Sequence, residues 1–459
     1  MLVARSGMKP RPDIRTVKRY TAWAFALVLT VVVFSTGSST PRQYPHRKLV
    51  RFWHRWQGDW EKQVNKIVDA FNQSQTEYEV FPVSVPGSGA DAKFILGVIG
   101  GDPPDLMSMG STPVANMAAN GFLTPLDSLM TPDEKVRFFK DSYPAIRNIG
   151  VFHGHCYGIT IGGDLMALYV NVKQLREAGI DPDKFPKTLE QLEDMGLKLN
   201  QYDKQGNLSR LGFLISDIGY VSHYFGGGFY VHPDGSVELN TPQNVRALKD
   251  IVDYRRKMGF DNVVRFQAGL NDIEGAASWA FMHGDLSITY DGQWRVEELR
   301  KFAPQMEYRV YPIPPPAVGG TPLGGLVGGN YMIVPTSAKE KAGAWQFLKF
   351  WTGLDNPDRA AAFYNMGGWL PYSPAVANSP TFQRWLKSNS QFQTFLDILA
   401  SPNCKAPPAI ANLQYLNDLI TRAEDDAVHG SVTPEQALAN LEAKYKEEAA
   451  KRKELGYDE

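Results

Sequence analysis

Between Leu49 and Met109 short apolar segments alternate with amphipathic ones, and this alternation restricts the fold more than any other feature of the chain. Residues 49–53 (LVRFW) read as a strand, and Trp60, Val64, Ile67, Val68 and Phe71 then recur along one face of a helix with about 3.6 residues per turn. YEVFPVSV is strand-like again. After a Gly/Ser/Ala turn a helix is expected through Phe94, Leu96 and Ile99, ending at Gly100, Gly101, Pro103 and Pro104; DLMSM is a third short strand. Strands alternating with helices predict an α/β architecture with a mostly parallel sheet.

Helix starts are marked further along. Thr131-Pro132-Asp133-Glu134 and Thr433-Pro434-Glu435-Gln436 each place an N-cap, a first-turn proline and a capping-box partner in order. Thr241-Pro242 opens another helix through Val245, Leu248, Ile251, Val252 and Tyr254. The last helix carries Ala437, Leu438, Leu441 and Tyr445, after which the charged chain is expected to fray as a solvated helix. Pro312 to Pro316 and Gly319 to Gly329 read as the strongest break in the chain, a connector rather than an element interior.

A chain of 459 residues is long enough for two cores. Its 48 Lys/Arg and 49 Asp/Glu nearly cancel, which argues against a nucleic-acid binder. The balance hides an asymmetry: nine basic residues and only Asp13 precede residue 49, leaving the remainder with 39 basic and 48 acidic residues. Within this basic leader (n-region 1–19), residues 20–34 form an uncharged apolar run, and STGSSTP follows. Residues 20–36 therefore read as an export signal or a membrane anchor and 37–48 as a linker. The basic excess predicts that residues 1–19 stay cytoplasmic and the body lies outside. Cys156 and Cys404 either pair as one disulfide or remain two thiols. His153, His155 and Cys156 lack a fourth ligand at a defined spacing, so neither a metal nor any other cofactor is expected.

HExxH, GxSxG, GxxxxGK[ST] and a complete GxGxxG are absent, and Gly87-Ser88-Gly89 reads as a turn. Aromatic loops are more informative. Trp53-His54-Arg55-Trp56 follows a strand, where ligands of open α/β sheets bind. Asp291-Gly292-Gln293-Trp294, Gly328-Gly329-Asn330-Tyr331 and Gly367-Gly368-Trp369-Leu370-Pro371 share its mixture of polar groups, aromatic rings and close backbone approach. Indoles stack on the C–H faces of sugars while carboxylates and amides take the hydroxyls, so the mixture suits a carbohydrate. The competing reading of Trp53 and Arg55 is plain packing and solvent exposure.

FWHRWQGDWEKQVNKIVDAFN, GGDPPDLM, GFLTPLDSLM, YGITIGGDLMALYVN, FGGGFYVHPDGSVELN, FMHGDLSITYDGQW and KEKAGAWQFLKFW followed by GGWLP stand in the order in which they resemble the extracellular solute-binding proteins of ABC importers, the sugar-binding family that includes maltose-binding and glycerol-3-phosphate-binding proteins. The resemblance spans about residues 49–445. It implies a two-lobe periplasmic-binding-protein fold with hinge strands and a ligand cleft: lobe 1 from 49–160 and 329–366, lobe 2 from 164–326 and 369–459. Crossovers would fall at Gly162 and Gly163, at Gly324 to Gly329, and at Gly367 and Gly368. The implied ligand-binding residues are Trp53, His54, Trp56, Ser111, Asp164, Tyr220, Tyr224, Asp291, Trp294, Gly328, Asn330 and Trp369. Asp164 has the alternative of pairing with an arginine, Tyr220 and Tyr224 that of core packing, and Asp105 reads as structural. No Cys follows the apolar run, so the lipid anchor common in the family is not expected.

The expected function is capture of a sugar or sugar derivative outside the cytoplasmic membrane by a non-catalytic monomer. Delivery would be to ABC permease subunits with their cytoplasmic ATPase, with residues 20–36 holding the chain to the membrane if uncleaved. The alternatives are a secreted carbohydrate-active enzyme using paired cleft carboxylates, and a receptor that signals without transport.

Overall fold

The computed structural model describes residues 42–457 except Pro86, Ser88, Pro233 and 271–277. The expected n-region and the apolar run at 20–36 lie outside the described residues. Among the described residues no helix is long and apolar enough to cross a membrane. Arg47–Glu459 is one compact unit.

Its principal elements are, in chain order, β1 (Lys48–His54), α1 (Gly58–Ser74), β2 (Tyr78–Ser84), α2 (Ala90–Ile99), β3 (Leu106–Gly110), α3 (Pro132–Asp141), β4 (Ile159–Asp164) and β5 (Met166–Asn171). They continue as α4 (Pro242–Met258), β6 (Ile288–Gly292), α5 (Arg295–Phe302), β7 (Tyr308–Tyr311), β8 (Gly328–Ile333), α6 (Lys341–Thr352), α7 (Pro357–Gly367) and α8 (Pro434–Glu454). On α1 the expected stripe is buried at Val64, Ile67, Val68 and Phe71, while Trp60 keeps partial exposure. On α2 only Ala90 and Phe94 are buried, and Leu96 and Ile99 face solvent.

Both capping boxes form, at Thr131 with Glu134 and at Thr433 with Gln436, and Thr241 accepts a bond from the Asn244 amide. The solvated helix expected after residue 445 is present, and instead of fraying it continues as α8 to Glu454, with Lys451, Arg452 and Lys453 in its last turn. Cations there oppose the negative end of the helix dipole.

The larger sheet has the order β2-β1-β3-β8-β4. β1 runs parallel to β2 and β3, whereas β8 is antiparallel to both β3 and β4. The smaller sheet, β6-β5-β7, is antiparallel at both pairings. In the larger sheet β2, β1, β3 and β4 therefore run the same way and β8 alone is reversed, as a mostly parallel sheet requires; the expectation is corrected only for the smaller sheet. Alternation along the chain forecasts crossovers between consecutive strands, but β8 arrives from far downstream and enters between β3 and β4 in reverse. β5 follows β4 after a single residue, Leu165, and becomes the centre strand of the second sheet.

A second correction concerns the Gly-rich stretch. Pro312 to Pro316 is irregular, yet from Gly325 onward the stretch is strand: Gly325-Leu326 pairs with Cys404-Lys405, and Gly328 begins β8. The glycines serve close packing, because Gly329 lies opposite Gly163. A Cβ on Gly329 would sit 2.6 Å from the Gly162 carbonyl oxygen, and its φ of +143° is itself a glycine conformation.

β5 divides the hydrophobic interior by its two-residue period. Ala167 and Tyr169 join the core around the larger sheet, with Phe52, Met107, Tyr331 and Trp351. Leu168 and Val170 join a second core with Phe213, Leu248, Tyr254 and Tyr445. Cys156 and Cys404 are unpaired and buried, and burial holds both thiols well above their usual range. Asp127 accepts from the Cys156 amide, Lys135 Nζ and His155 Nδ1, which ties the His153–Cys156 turn to its neighbours.

Asp105, 2% exposed, is a structural hub: its carboxylate accepts from the main-chain amides of Arg51, Lys339 and Glu340, each at 2.9 Å. These bonds fix β1 to the start of α6. Asp105→Ala is expected to cost about 2–4 kcal/mol, since three charge-assisted bonds are lost and amide donors are left unpaired. A urea midpoint unchanged from wild type would contradict this role.

Candidate functional site

β1, β4 and β8 bring their ends together with the starts of α1 and α5 and the end of α7, and a cavity of about 220 Å³ opens between them. Trp56 and Trp60 come from the β1–α1 junction, Asp164 from the last residue of β4, and Asn330 from β8. Trp294 and Glu298 enter from the first turns of α5, and Trp369 from the segment after α7. The β8–β4 register shifts between Asn330 and Tyr331, so Asn330 stands at a local irregularity beside the cavity.

Trp56 and Trp60 each pack against Trp369, and a further indole, Trp351, packs against Trp56 and Trp369. Ring centroids are 5.5 Å apart for Trp56 and Trp369, 5.8 Å for Trp60 and Trp369, and 6.0 Å for Trp351 and Trp369. Trp351 is fully buried and donates its Nε1–H to the Ile161 carbonyl at 3.2 Å, anchoring the cluster to β4.

Glycines seat the rings. A Cβ on Gly292 would fall inside the Trp294 six-membered ring contact, and one on Gly367 inside that of Trp369. Across the sheet, a Cβ on Gly162 would lie 3.1 Å from Trp369 Cγ. The Gly-x-Trp and Gly-Gly-Trp patterns thus describe indoles folded back on bare backbone, which fixes their planes before any ligand arrives.

Gln293, fully buried, closes the base of the site. Its Oε1 accepts from the Leu165 amide at 2.9 Å and its Nε2 donates to the Gly163 carbonyl at 3.0 Å, with Asp164 Oδ1 3.5 Å away. This amide is spent on the backbone where β4 passes into β5. Asp164 is bonded to Gln293 rather than to an arginine, and burial pushes its carboxyl up to about 6 against that bond. Glu298 accepts from Arg295 Nη1 at 2.6 Å, and Arg295 Nε donates to Asp291 Oδ2 at 3.0 Å. The Arg295 guanidinium also lies 4.5 Å from the Trp279 ring centroid. Burial raises both carboxyls, and Arg295 opposes the rise.

Of the sequence candidates, Trp56, Asp164, Trp294, Asn330 and Trp369 line this cavity together. Ser111 and Gly328 stand beside it: a Cβ on Gly328 would lie 3.7 Å from Ser111 Oγ, and Gly328 pairs with Asp164. Tyr220 and Asp291 line a separate cavity of about 400 Å³, with Asp217, Thr289 and Tyr290. Three candidates are placed elsewhere. Trp53 lies on the other face of β1, with Lys93 Nζ 5.2 Å from its ring. His54, 1% exposed, packs with Phe52 and Trp56, and burial lowers its pKa to about 4. Tyr224 is core, its hydroxyl 3.0 Å from that of Tyr290.

Trp60 and Glu298 were not among the candidates. Trp60 fell on the apolar stripe of α1, and only its place in the first turn, beside the β1 loop, distinguishes it. Glu298 is one acid among 49, with no local pattern to mark it.

The family model of bacterial extracellular solute-binding proteins matches residues 57–356. The sn-glycerol-3-phosphate-binding periplasmic protein UgpB of Salmonella typhimurium is 22% identical over 92% of this chain and 94% of its own. UgpB of Yersinia enterocolitica is 23% identical over the same shares. Among solved structures, CpMnBP1 with mannotriose bound superposes with a TM-score of 0.74 at 26% identity, covering 86% of this chain and 99% of its own. The sugar-binding protein MalE of Xanthomonas citri superposes with a TM-score of 0.69 at 20% identity, covering 90% of this chain and all of its own. These matches identify the two-sheet architecture as the two-lobe fold of periplasmic binding proteins.

Gly292→Ala is expected to lift the Trp294 indole from its seat. The observable is a red-shifted tryptophan emission with increased acrylamide quenching, abolished in the Gly292→Ala/Trp294→Phe double variant. Identical emission in Gly292→Ala and wild type would contradict the seating.

Proposed function

Because this chain belongs to the family of bacterial extracellular solute-binding proteins, we propose that it captures a sugar or sugar derivative outside the cytoplasmic membrane and delivers it to an ABC permease driven by a cytoplasmic ATPase. One observation carries the proposal. Trp56, Trp60, Trp294 and Trp369 line the same cavity as Asp164, Glu298 and Asn330. Rings supply apolar faces for sugar C–H groups, and the polar atoms replace the hydration of hydroxyls. The titles of similar solved structures, with mannotriose and mannobiose bound, support a sugar ligand, whereas the name of UgpB gives a phosphorylated polyol, sn-glycerol-3-phosphate.

The mechanism proposed is closure of two lobes, 49–160 with 329–366 and 164–326 with 369–459, about crossovers at Gly162 and Gly163, at Gly324 to Gly329, and at Gly367 and Gly368. Trp56, Trp60, Trp294, Trp369, Asp164, Glu298 and Asn330 contact the ligand, with Ser111 and Gly328 at the edge. Tyr220 and Asp291 extend the site toward the second cavity. The chain acts as a non-catalytic monomer, exported or held to the membrane by residues 20–36.

A second reading, hydrolysis of a bound sugar by paired carboxylates, is favoured by the presence of Asp164 and Glu298 on one cavity with raised pKa values. Calorimetric titration with product analysis separates the two: a binding protein returns the sugar intact, and a hydrolase consumes it. Trp294→Ala should weaken binding more than about tenfold while the fold survives, as one stacked aromatic contributes ~1–3 kcal/mol. Unchanged affinity would remove Trp294 from the site.

Binding should also depend on pH through Asp164. Sugar hydroxyls donate to the ionised carboxylate, so affinity rises as pH increases through about 6. At pH 5 it should be about tenfold weaker than at pH 7, and Asp164→Asn should flatten the profile. For stability the sign is opposite. Between 3.8 and about 6 the folded chain holds this proton more tightly than the unfolded chain, so the Asp164 contribution falls as pH rises across that window.

A further inference from the structure

We propose that the Trp-lined cavity selects sugars that carry no phosphate or carboxylate, and that Asp164 and Glu298 impose this preference. The inference rests on the sugar-capture reading and narrows it to a chemical class. Among the described residues, Asp164 and Glu298 are the charged ones that line the cavity, and no lysine or arginine stands with them.

The charged groups around it do not reverse that balance. Arg295 is committed to Asp291 and Glu298 and lies against Trp279. Lys301 Nζ is 5.4 Å from the Trp60 ring centroid, and its charge lies close enough to Glu298 to favour ionisation there. Arg55 stands at the end of β3, its Nη1 3.5 Å from where a Cβ on Gly110, the register partner of Asn330, would be, yet it does not line the cavity. Two carboxylates, of Asp164 and Glu298, thus line the cavity itself, while Asp291 and the three neighbouring cations, Arg295, Lys301 and Arg55, stand outside its lining.

Hydrogen-bond complementarity points the same way. Ionised carboxylates only accept, and so does a phosphate dianion. Placed together they repel, since neither has a proton to share with the other, in a site where solvent screens poorly. A hydroxyl has the donor that both carboxylates need. Asp164 and Glu298 therefore act on specificity by penalising the anionic ligand as well as by holding the neutral one.

The test is titration calorimetry of the full-length protein at pH 7.5. Mannobiose, maltotriose and glycerol are compared with mannose 6-phosphate, glucose 1-phosphate and sn-glycerol 3-phosphate. The best unphosphorylated ligand should bind at least about tenfold more tightly than any phosphorylated one, and Asp164→Asn should shrink that ratio several-fold. Glu298→Gln serves as the second variant if Asp164→Asn fails to fold. A phosphorylated ligand binding most tightly would overturn the charge preference while leaving sugar capture intact. A ratio unmoved in both variants would overturn the assignment to these carboxylates. A folded protein that binds neither class would overturn the sugar reading and this inference with it.

Discussion

The close passage of two backbones, β4 at Gly162 and Gly163 and β8 at Gly328 and Gly329, sets the geometry of the site. Any Cβ on Gly329 would strike the Gly162 carbonyl, and one on Gly163 would come within 2.8 Å of Ile146 Cδ1. With both strands bare, β8 enters the sheet in reverse between β3 and β4, bringing Asn330 beside Asp164. The space left above Gly162 is occupied by Trp369, whose other face rests on the α7 terminus at Gly367. Larger residues at these positions would displace the strands, the aromatic ring or both.

The rest of the site is built outward from that crossing. Trp351 fastens α6 to β4 through the Ile161 carbonyl, and Trp56 and Trp60 pack onto Trp369 from the β1–α1 junction. On the other side Gln293 binds the Gly163 carbonyl and the Leu165 amide, so the loop carrying Trp294 is tied to the same short stretch of chain. Rings held by packing have little rotamer freedom left to lose when a ligand stacks on them, which is how a rigid aromatic site gains affinity. β5 continues directly from this crossing and feeds alternate residues to two separate cores.

How much of this is readable in the linear chain follows from how local each signal is. Caps at Thr131, Thr241 and Thr433 depend on contacts three residues away and appear as expected. The Gly-Trp loops are also local, since the glycine that seats an indole lies two residues before it in both Gly292/Trp294 and Gly367/Trp369. Strand order is not local. Nothing near residues 328–333 says that this segment pairs with β3 and β4, so its glycines read as a connector. Trp60 satisfies a helix stripe and a cavity wall at once, and periodicity cannot separate the two. His54, the last residue of β1, and Tyr224, in a short helical turn, lie in segments of the right character but point into the interior, a distinction made by their contacts with Phe52, Trp56 and Tyr290.

Sugar capture as proposed requires the ligand to lie among the four cavity tryptophans. A crystal structure of the full-length protein with its best sugar bound tests this most directly. The sugar is expected to contact Trp56, Trp60, Trp294 and Trp369, with its hydroxyls donating to Asp164 and Glu298. A sugar bound at any other place, with this cavity left unfilled, would contradict it.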